Sequence, residues 1–428
     1  MRTLTGRVDS LPQSPKLHAA GESQPPRDAR RPMKVLVFTS LYPNNVVNHH
    51  GVFIKERMTH FARLDGCQVK VVAPVPYFPP IKGNWRWQYS QVASRETRDG
   101  LEVYHPRYIM PPKIGMTLYG WLMFLSVLPT VRRIRRHFDF DLIDAHYVYP
   151  DGLAAILLGR LWGKPVVISA RGSDVNQYAD LPLIPTLLRY ALLRAPRSIA
   201  VCRALKDAMV DLGVPGDRIA VIPNGVDLKK FRPYPMAAAR QELGLPSDQT
   251  ILLSVGSLIP RKGIDLLIKA LAILRDEHGR GNVTLAVVGN GPRESELKRL
   301  AGSLGLGGAV RFCGSVAHEK LHVWYSAADL FCLTSAREGW PNVLLESMAC
   351  GTPVVATGVW GVPEVVRSDE VGLLTELDER AIARTVAAAL GRPWDRERVR
   401  QYAEEHSWDH VARSVQDVFE TVLNGQST

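Results

Sequence analysis

Cysteine is scarce in this sequence, and the few cysteines form no C-x-x-C pair. They are scattered along the chain, and most lie in apolar runs: Cys67, Cys202, Cys313, Cys332 and Cys350. An odd number of cysteines without close pairing argues against a disulfide framework and against a zinc site. We therefore expect reduced, buried thiols in a protein of the cytosol.

A secretory signal is also missing. Residues 1–32 are rich in proline, serine and arginine, and they contain no apolar segment of the kind that a signal peptide requires. This composition predicts a disordered leader. The sequence MKVLVFTS from Met33 is typical of a first strand, so Met33 is an alternative start of the protein.

A membrane-spanning helix is not predicted. The uncharged run from Gly115 to Val131 lies at the lower limit of about 17 residues for a spanning helix, and Gly120 and Pro129 interrupt it. Four arginines follow directly: Arg132, Arg133, Arg135 and Arg136. Two interpretations remain open, a helix on an anionic membrane surface and a core helix followed by a solvated basic face.

The sequence lacks the motifs of several kinds of catalytic and binding chemistry. The sequence has no histidine and cysteine cluster with metal-ligand spacing, no P-loop and no G-x-S-x-G nucleophile turn. It also has no RNA- or DNA-binding motif. The net charge of +11 is compatible with nucleic acid, anionic lipid or phosphorylated substrates, and it does not choose among them.

What the sequence does contain is a regular alternation of short apolar strands with helical stretches. This alternation predicts an α/β protein of doubly wound parallel sheets. The strands form two series, at 34–40, 68–74, 142–148, 165–170, 198–202 and 219–223, and then at 250–256, 283–289, 310–314, 330–335 and 353–357. With 428 residues, we expect two Rossmann-like domains, 33–228 and 229–405, with the linker near residues 227–235.

The most informative segment is 336–357, with the sequence AREGWPNVLLESMACGTPVVAT. It predicts a polar loop, a short helix that ends before Gly351, and a buried strand. Glu338 lies on the loop, and Glu346 lies in the first turns of the helix. The backbone N–H groups of three residues at the start of this helix, together with the helix dipole, favour an anionic group such as phosphate: Gly339, Asn342 and Val343. Since ionised carboxylates accept hydrogen bonds from sugar hydroxyls, the combination suggests a nucleotide sugar.

A second group of residues in the same half of the chain suits a diphosphate. Arg261 and Lys262 precede Gly263, where a helix is predicted to begin, so two cations lie near helix N–H groups. Gly289 and Gly291 follow the next strand and allow close approach of the backbone. Taken alone, these glycines are equally typical of a plain strand-to-helix turn.

The 336–357 segment resembles the E-x7-E signature of the retaining glycosyltransferases of family 4, which have the GT-B fold. The resemblance runs from Met33 to the C-terminus through several ordered motifs. It implies two Rossmann-like domains that face a cleft, with the final helix, within 406–428, crossing back to the first domain. It also implies that Glu346 contacts the donor ribose and that Glu338 contacts the donor sugar.

The resemblance extends to the phosphate and base sites. Lys262 matches the lysine of the family, whereas the arginine that often follows the glycine of this strand is replaced by Ser257. Arg261 is a candidate to take over that role. The nucleobase is expected near residues 316–318.

The first domain is expected to hold the acceptor. The loop 44–53, with His49, His50 and Gly51, resembles the family loop that approaches donor phosphates and acceptor; His49 and His50 are equally typical of surface histidines. Polar residues follow two later strands, where ligands collect in open sheets: His146, Asp151, Arg171 and Asp174. Many family members have histidine at the position of Arg171, which stays charged and cannot act as a base, but could bind a phosphate or an acidic sugar. The sequence ARGSD, with PDG upstream, resembles a branch of cell-surface polysaccharide enzymes that includes teichuronic-acid biosynthesis.

We therefore expect a cytoplasmic transferase of the hexosyltransferase type. Its expected substrates are a nucleotide-diphosphate sugar and a carbohydrate or lipid-linked acceptor in cell-surface polysaccharide biosynthesis. We expect no nucleic-acid partner, no metal and no other cofactor. Asp139 and Asp141 form a D-x-D, the metal motif of another glycosyltransferase fold, but they precede a strand instead of following one beside a nucleotide. Association with the inner face of the plasma membrane is part of the same expectation. The alternatives are a GT-B sugar-nucleotide epimerase and a non-catalytic scaffold that binds nucleotide sugars or nucleic acid.

Overall fold

The computed structural model describes residues 31–48, 50–81, 85–111, 115–176 and 183–425. Residues 1–30 of the predicted leader lie outside these ranges, and so does His49. None of the helices in the described ranges is long and apolar enough to cross a membrane.

The first domain is built on a largely parallel sheet. Its strands are β1 (Met33–Phe38), β2 (Cys67–Val72), β3 (Val75–Pro76), β4 (Arg95–Arg98), β5 (Leu101–Tyr104), β6 (Arg107–Tyr108), β7 (Leu142–His146), β8 (Val166–Ala170), β9 (Arg197–Ala200) and β10 (Ile219–Val221). Eight of them form one sheet in the order β10-β9-β8-β7-β1-β2-β5-β4, in which only β4 is antiparallel to its neighbour, while β3 pairs with β6. The central strands are mostly apolar and are buried on both faces, as parallel sheets covered by helices require.

The helices of this domain are α1 (Val52–Ala62), α2 (Tyr119–Arg135), α3 (Leu153–Trp162), α4 (Ser173–Asn176), α5 (Ile184–Arg194) and α6 (Arg203–Asp211). Helix α2 contains the uncharged run. One face packs in the core through Met123, Val127 and Val131, while Trp121 and Leu125 on the other face are exposed. The core-helix interpretation therefore describes one face of α2, and the other face remains available to a surface.

The second domain has a wholly parallel sheet. Its strands are β11 (Thr250–Val255), β12 (Val283–Val288), β13 (Val310–Phe312), β14 (Leu330–Leu333), β15 (Val354–Thr357) and β16 (Gly372–Thr375), in the order β13-β12-β11-β14-β15-β16. Its helices are α7 (Met236–Glu242), α8 (Ile264–His278), α9 (Glu294–Ser303), α10 (Leu321–Ala327), α11 (Asn342–Ala349), α12 (Val362–Val365), α13 (Glu379–Leu390) and α14 (Arg396–Glu404). The expectation of an α/β protein with two such sheets is confirmed.

The last helix, α15 (Trp408–Asn424), packs on the first domain. Phe419 meets Phe61 of α1 edge to face, with 5.3 Å between the ring centroids. Trp408, Val411 and Val415 belong to the same apolar cluster as residues of β1 and α1. The predicted crossing back of the C-terminal helix is thus confirmed.

In each sheet the order of the strands reverses at one point, because the first strands follow one another outward on one side and the later strands are added on the other side. The reversal lies between β1 and β7 in the first sheet and between β11 and β14 in the second. Ligands of open α/β sheets bind outside the carboxyl ends of the strands at such points. Four strand ends therefore define where the functional site is to be sought.

Candidate active site

An ion pair lies at the reversal point of the second sheet. Glu338 is in the loop after β14, and Lys262 is in the turn after β11, immediately before Gly263 and α8. Their side chains meet with 2.6 Å between Lys262 Nζ and Glu338 Oε1, and Arg261 Nη1 lies 3.5 Å from Glu338 Oε2. The structure therefore brings together Lys262 and Glu338, which are 76 positions apart in the sequence, and places Arg261 beside them.

Glu338 is ionised in this setting although it is buried. Burial opposes its charge, but the charges of Lys262 and Arg261 and the hydrogen bond from Lys262 outweigh this effect and hold the pKa of Glu338 below its ordinary value. Arg261 is more exposed than Lys262, and its Nη1 also donates to the carbonyl oxygen of Arg337 at 2.7 Å. Lys262 is thus the more deeply placed of the two cations.

Glycine is needed where the loops beside this pair pack together. A Cβ on Gly263 would lie 2.0 Å from the carbonyl oxygen of Thr334, and one on Gly289 would lie 1.9 Å from that of Gly256. A Cβ on Gly291 would lie 2.4 Å from the carbonyl oxygen of Leu258. The predicted close approach at Gly289 and Gly291 is therefore made by the neighbouring loop, beside the exposed Ser257.

Helix α11 begins at Asn342 and carries Glu346 one turn later. The first N–H groups of a helix have no acceptor within it, so the residues around Gly339, Asn342 and Val343 present the positive end of the helix dipole. Both oxygens of Glu346 have partners: Oε1 lies 3.1 Å from His318 Nε2, and the hydroxyl of Tyr325 donates to Oε2 at 2.9 Å. Glu346 is thus a fixed carboxylate on the inner side of the cleft.

A buried network of polar side chains lies at the carboxyl ends of β7 and β8, which form the floor of the first domain. Arg171 donates from Nη2 to His146 Nδ1 at 2.5 Å and from Nη1 to Asn224 Oδ1 at 2.8 Å. His146 Nε2 lies 2.9 Å from the carboxylate of the fully buried Asp144. Asn224 Nδ2 then donates to Asn342 Oδ1 at 3.1 Å, so that this network reaches the start of α11 in the other domain.

The charges of this floor are strongly affected by burial. Burial lowers the pKa of His146 to about 4, although the neighbouring Asp144 opposes the effect. Burial also lowers the pKa of Arg171 to about 9. With both terminal nitrogens engaged, Arg171 holds the floor together and has little left for an acidic acceptor.

Asp151 and Asp174 accept hydrogen bonds from backbone and side-chain groups of the same floor. The backbone N–H and the hydroxyl of Ser40 donate to Asp151, and burial raises the pKa of Asp151 to about 7. Asp174 accepts from the backbone N–H groups of Val148, Arg171 and Gly172, and burial raises its pKa. These two predicted acceptor-side residues shape the turns of the floor.

The two halves of the site meet across the cleft. A Cβ on Gly172 would lie 3.5 Å from Cα of Gly339, and one on Gly339 would lie 2.9 Å from the carbonyl oxygen of Arg171. Gly51 begins α1 with φ +68°, and a Cβ there would lie 2.3 Å from the carbonyl oxygen of Leu41. His50 beside it is exposed. The second-domain residues predicted to bind the donor thus lie across the cleft from Gly51 and from the residues predicted for the acceptor side.

Some residues of the site were not predicted from the sequence. Arg57 of α1 is fully buried, and its Nη1 donates to the hydroxyl of Ser169 at 3.3 Å. Asp144 lies within an apolar strand, and a charged residue in such a strand was the signal that could have revealed it. Tyr325 and Arg57 lie on amphipathic helices, where the pattern gives no sign of their partners.

The D-x-D motif of Asp139 and Asp141 lies away from this cleft. Asp139 pairs with Arg135 and Lys164, and Asp141 accepts from the backbone N–H of Lys34 at the amino ends of β1 and β7. Among the described residues, Glu56, His60 and Asp227 are close enough to hold an ion, and Glu56 and Asp227 line the same pocket as Glu346. The ammonium of Lys230 lies 2.8 Å from Glu56 within that cluster, which already supplies a positive charge.

The fold and the site together define a glycosyltransferase of the GT-B class: two Rossmann-like domains face a cleft that contains a lysine–glutamate pair and a second buried glutamate. The model of the family "Glycosyl transferases group 1" matches residues 236–406, and that of "Glycosyltransferase Family 4" matches residues 50–230. The chain belongs to this glycosyltransferase family.

Individual relatives agree with this membership. The chain is 29% identical over 398 residues to TuaC of Bacillus subtilis, named as a teichuronic acid biosynthesis glycosyltransferase, with 91% of this chain and 94% of TuaC covered. It is 32% identical over 319 residues to the D-inositol 3-phosphate glycosyltransferase of Streptomyces coelicolor, with 66% and 69% covered.

Solved structures show the same fold at lower identity. Sucrose-phosphate synthase from Thermosynechococcus elongatus has a TM-score of 0.75 and 22% identity, with 92% of this chain and 100% of the synthase covered. HepE from Anabaena, in complex with UDP and glucose, has a TM-score of 0.69 and 20% identity, with 91% and 100% covered.

Proposed function

We propose that this protein transfers a sugar, with retention of anomeric configuration, from a nucleotide-diphosphate sugar to a carbohydrate or lipid-linked acceptor in the assembly of a cell-surface polysaccharide. The transferase is of the hexosyltransferase type and acts without a metal. The observation that carries the proposal is the ion pair of Lys262 and Glu338 at the reversal point of the second sheet.

This pair has the properties that a diphosphate site needs. A lysine bound to a single carboxylate can move to a phosphate oxygen when the donor arrives, and Glu338 then becomes free to accept from hydroxyls of the transferred sugar. Negative charge grows on the diphosphate as the glycosidic bond breaks, and Lys262, with Arg261, is placed to stabilise it. The start of α11 supplies further N–H groups.

Glu346 supports binding of the nucleoside. It lies on α11, after the loop that carries Glu338, and its carboxylate is held by His318 and Tyr325. A fixed carboxylate suits the pair of hydroxyls of a ribose, since each oxygen can accept more than one hydrogen bond. The UDP complexes of the structural neighbour HepE agree with a nucleotide diphosphate as the ligand.

The acceptor enters from the first domain, and a lipid-linked acceptor fits its surface. On α2, the exposed side chains Trp121, Leu125 and Arg132 follow one another at helical spacing, with Arg136 directly after the helix. The apolar side chains of this stripe lie at the end of α2 nearer the cleft. The arginines at its other end suit anionic headgroups. We therefore place the protein at the cytoplasmic face of the plasma membrane.

Two substitutions test the site. Glu338→Gln removes a contact with the reacting sugar and should mainly lower kcat, whereas Glu346→Gln weakens a contact present in both ground and transition states and should mainly raise the donor KM. A panel of nucleotide sugars, ranked by the rise in melting temperature, supplies the donor for this assay. Ordinary kinetics in both variants would contradict the assignment. Conversion of the donor without any acceptor would instead indicate an epimerase.

A further inference from the structure

Helix α6 of the first domain is capped by a carboxylate of the second domain. Both oxygens of Glu364, on α12, accept from the backbone N–H of Arg203 at 2.8 Å, and one accepts from that of Ala204 at 3.2 Å. Arg203 is the first residue of α6, and Cys202 before it makes no side-chain cap. The cap of this helix is thus supplied by a residue 161 positions away. A carboxylate is favoured there by the free N–H groups and by the helix dipole.

The element that carries Glu364 also touches the loop of Glu338. The backbone N–H of Gly361 donates to the carbonyl oxygen of Glu338 at 3.1 Å. A Cβ on Gly361 would lie 1.8 Å from the carbonyl oxygen of Gly339 and 3.1 Å from Cβ of Cys202. One short segment therefore contacts the Glu338 loop on one side and the start of α6 on the other.

The conformation of this segment is unusual. Trp360 has φ +51°, a left-handed conformation that a bulky side chain rarely adopts. The guanidinium of Arg337, next to Glu338, lies over its ring at 5.4 Å from the centroid. Neighbouring contacts must hold such a backbone in place, and the cap at α6 is one of the contacts that anchor the segment.

We propose that Glu364 is a positioning residue for sugar transfer: by capping α6 it holds the two domains closed, with Glu338 facing the floor of the first domain. Glu364 does not itself contact the ion pair of Lys262 and Glu338. Its three charge-assisted hydrogen bonds are stronger than the neutral contact between Asn224 and Asn342 that also joins the domains. The kinetic consequence rests on the proposed function, whereas the effect on domain closure does not.

Both sides of the cap can be removed separately. Glu364→Ala deletes the acceptor. Arg203→Pro deletes the main donor and keeps the helix, because proline is favoured at the first helical position and Cys202, with φ −155° and ψ 165°, already has the extended backbone that a following proline requires. Arg203→Ala removes the side chain but keeps the N–H, so it is the matched control.

Two further variants complete the set. Glu370→Ala removes an exposed carboxylate of the second domain that pairs with Arg398 and does not touch α6. Glu364→Gln keeps acceptor oxygen but loses the charge, so it tests the cap in a chain that is changed less. Thermal unfolding establishes which variants fold. If Glu364→Ala does not fold, Glu364→Gln and Arg203→Pro are the variants that are compared with the wild type.

Small-angle scattering of the full chain without ligand measures closure, and steady-state kinetics measures transfer. We expect a larger radius of gyration in Glu364→Ala and Arg203→Pro, with wild-type values in Arg203→Ala and Glu370→Ala. The loss of a helix cap changes an equilibrium constant by about fivefold, here the constant between the closed and open arrangements of the domains. It should therefore lower kcat by about fivefold and leave the donor KM nearly unchanged. Glu364→Gln should lie between.

Three results would overturn the proposal. They are wild-type scattering and kcat in both cap variants, an equal loss in Arg203→Ala and Arg203→Pro, and an expanded chain with unchanged kcat. If no nucleotide sugar supports transfer, the proposed function fails, and the scattering comparison alone decides whether Glu364 closes the domains.

Discussion

Single residues set the charge of the cleft. Glu338 is 8% exposed and yet ionised, because Lys262 lies against it and Arg261 lies nearby. A lysine in this position is a mobile point charge that can exchange a carboxylate for a phosphate. Lys262 is therefore expected to contribute more to transfer than the exposed Arg261.

Lys262→Ala should lower kcat/KM roughly 30- to 1000-fold. This factor corresponds to a loss of about 2–4 kcal/mol of transition-state stabilisation, the scale for removing one hydrogen-bond donor from a site of developing charge. Arg261→Ala should have a comparable effect only if Arg261 replaces the arginine that Ser257 lacks. Lys298→Ala on the exposed face of α9 is the control. A silent Arg261→Ala together with a faster Ser257→Arg variant would show that Arg261 does not compensate.

The buried His146 makes stability depend on pH. Its pKa is about 4 in the folded chain and 6.5 by the ordinary value, so the unfolded chain binds more protons between these two pH values. The stability contributed by neutral His146 is therefore complete above about pH 6.5 and is lost as the pH falls toward 4, by roughly 3 kcal/mol.

His146→Gln should reduce this loss. In urea unfolding at about pH 7, pH 5.5 and pH 4.5, which span the range between the two pKa values, the free energy of unfolding of the variant should fall less than that of the wild type. The exposed His137→Gln is the control and should follow the wild type. An equal fall in all three proteins would show that His146 does not govern this pH dependence.

At the scale of elements, α2 combines two faces with different roles. Met123, Val127 and Val131 anchor it in the core, while Trp121 and Leu125 are 46% and 60% exposed. Arg135 is already engaged, since it pairs with Asp139 and lies over the ring of Trp162. Of the four arginines in the segment 132–136, the three more exposed ones are therefore the candidates for a membrane surface: Arg132, Arg133 and Arg136.

Replacing these three arginines by glutamine should weaken binding to anionic vesicles. Each basic residue near such a surface contributes about 1 kcal/mol, and salt screens the attraction. Co-sedimentation with vesicles at low and high salt measures the effect. Arg135→Gln is the matched control and should bind nearly as the wild type. A wild-type protein that does not bind anionic vesicles at low salt would favour an acceptor free of the membrane.

At the scale of the whole molecule, α15 joins the end of the chain to its first domain. Phe419 is fully buried against Phe61, and Asp409 at the start of α15 lies 2.6 Å from His60 of α1. The helix therefore fixes one side of the cleft while the cap at Glu364 holds the other. Closure of the two domains is thus shared between an apolar contact and a charged one.

Phe419→Ala should lower the free energy of unfolding by about 3–5 kcal/mol, the usual cost of deleting a buried aromatic ring. The exposed Asp417→Ala on the same helix is the control and should change it by less than about 0.5 kcal/mol. Urea unfolding followed by circular dichroism measures both. A small effect at Phe419 would indicate that the site repacks.

The sequence by itself determined the two parallel sheets, most of their strands, and the loop, helix and strand around Glu338 and Glu346, because these follow from local patterns of apolar residues and turn residues. It did not predict β3, β4, β5, β6 or β16, because strands of two to four residues are too short to show a pattern, and Arg95–Arg98 of β4 is also polar. Only the tertiary structure decided that Arg171 is hydrogen-bonded to His146 and Asn224, and that Glu364 caps a helix of the other domain. Such contacts join residues far apart in the chain, and a buried charge takes its partner from whatever the fold brings within reach.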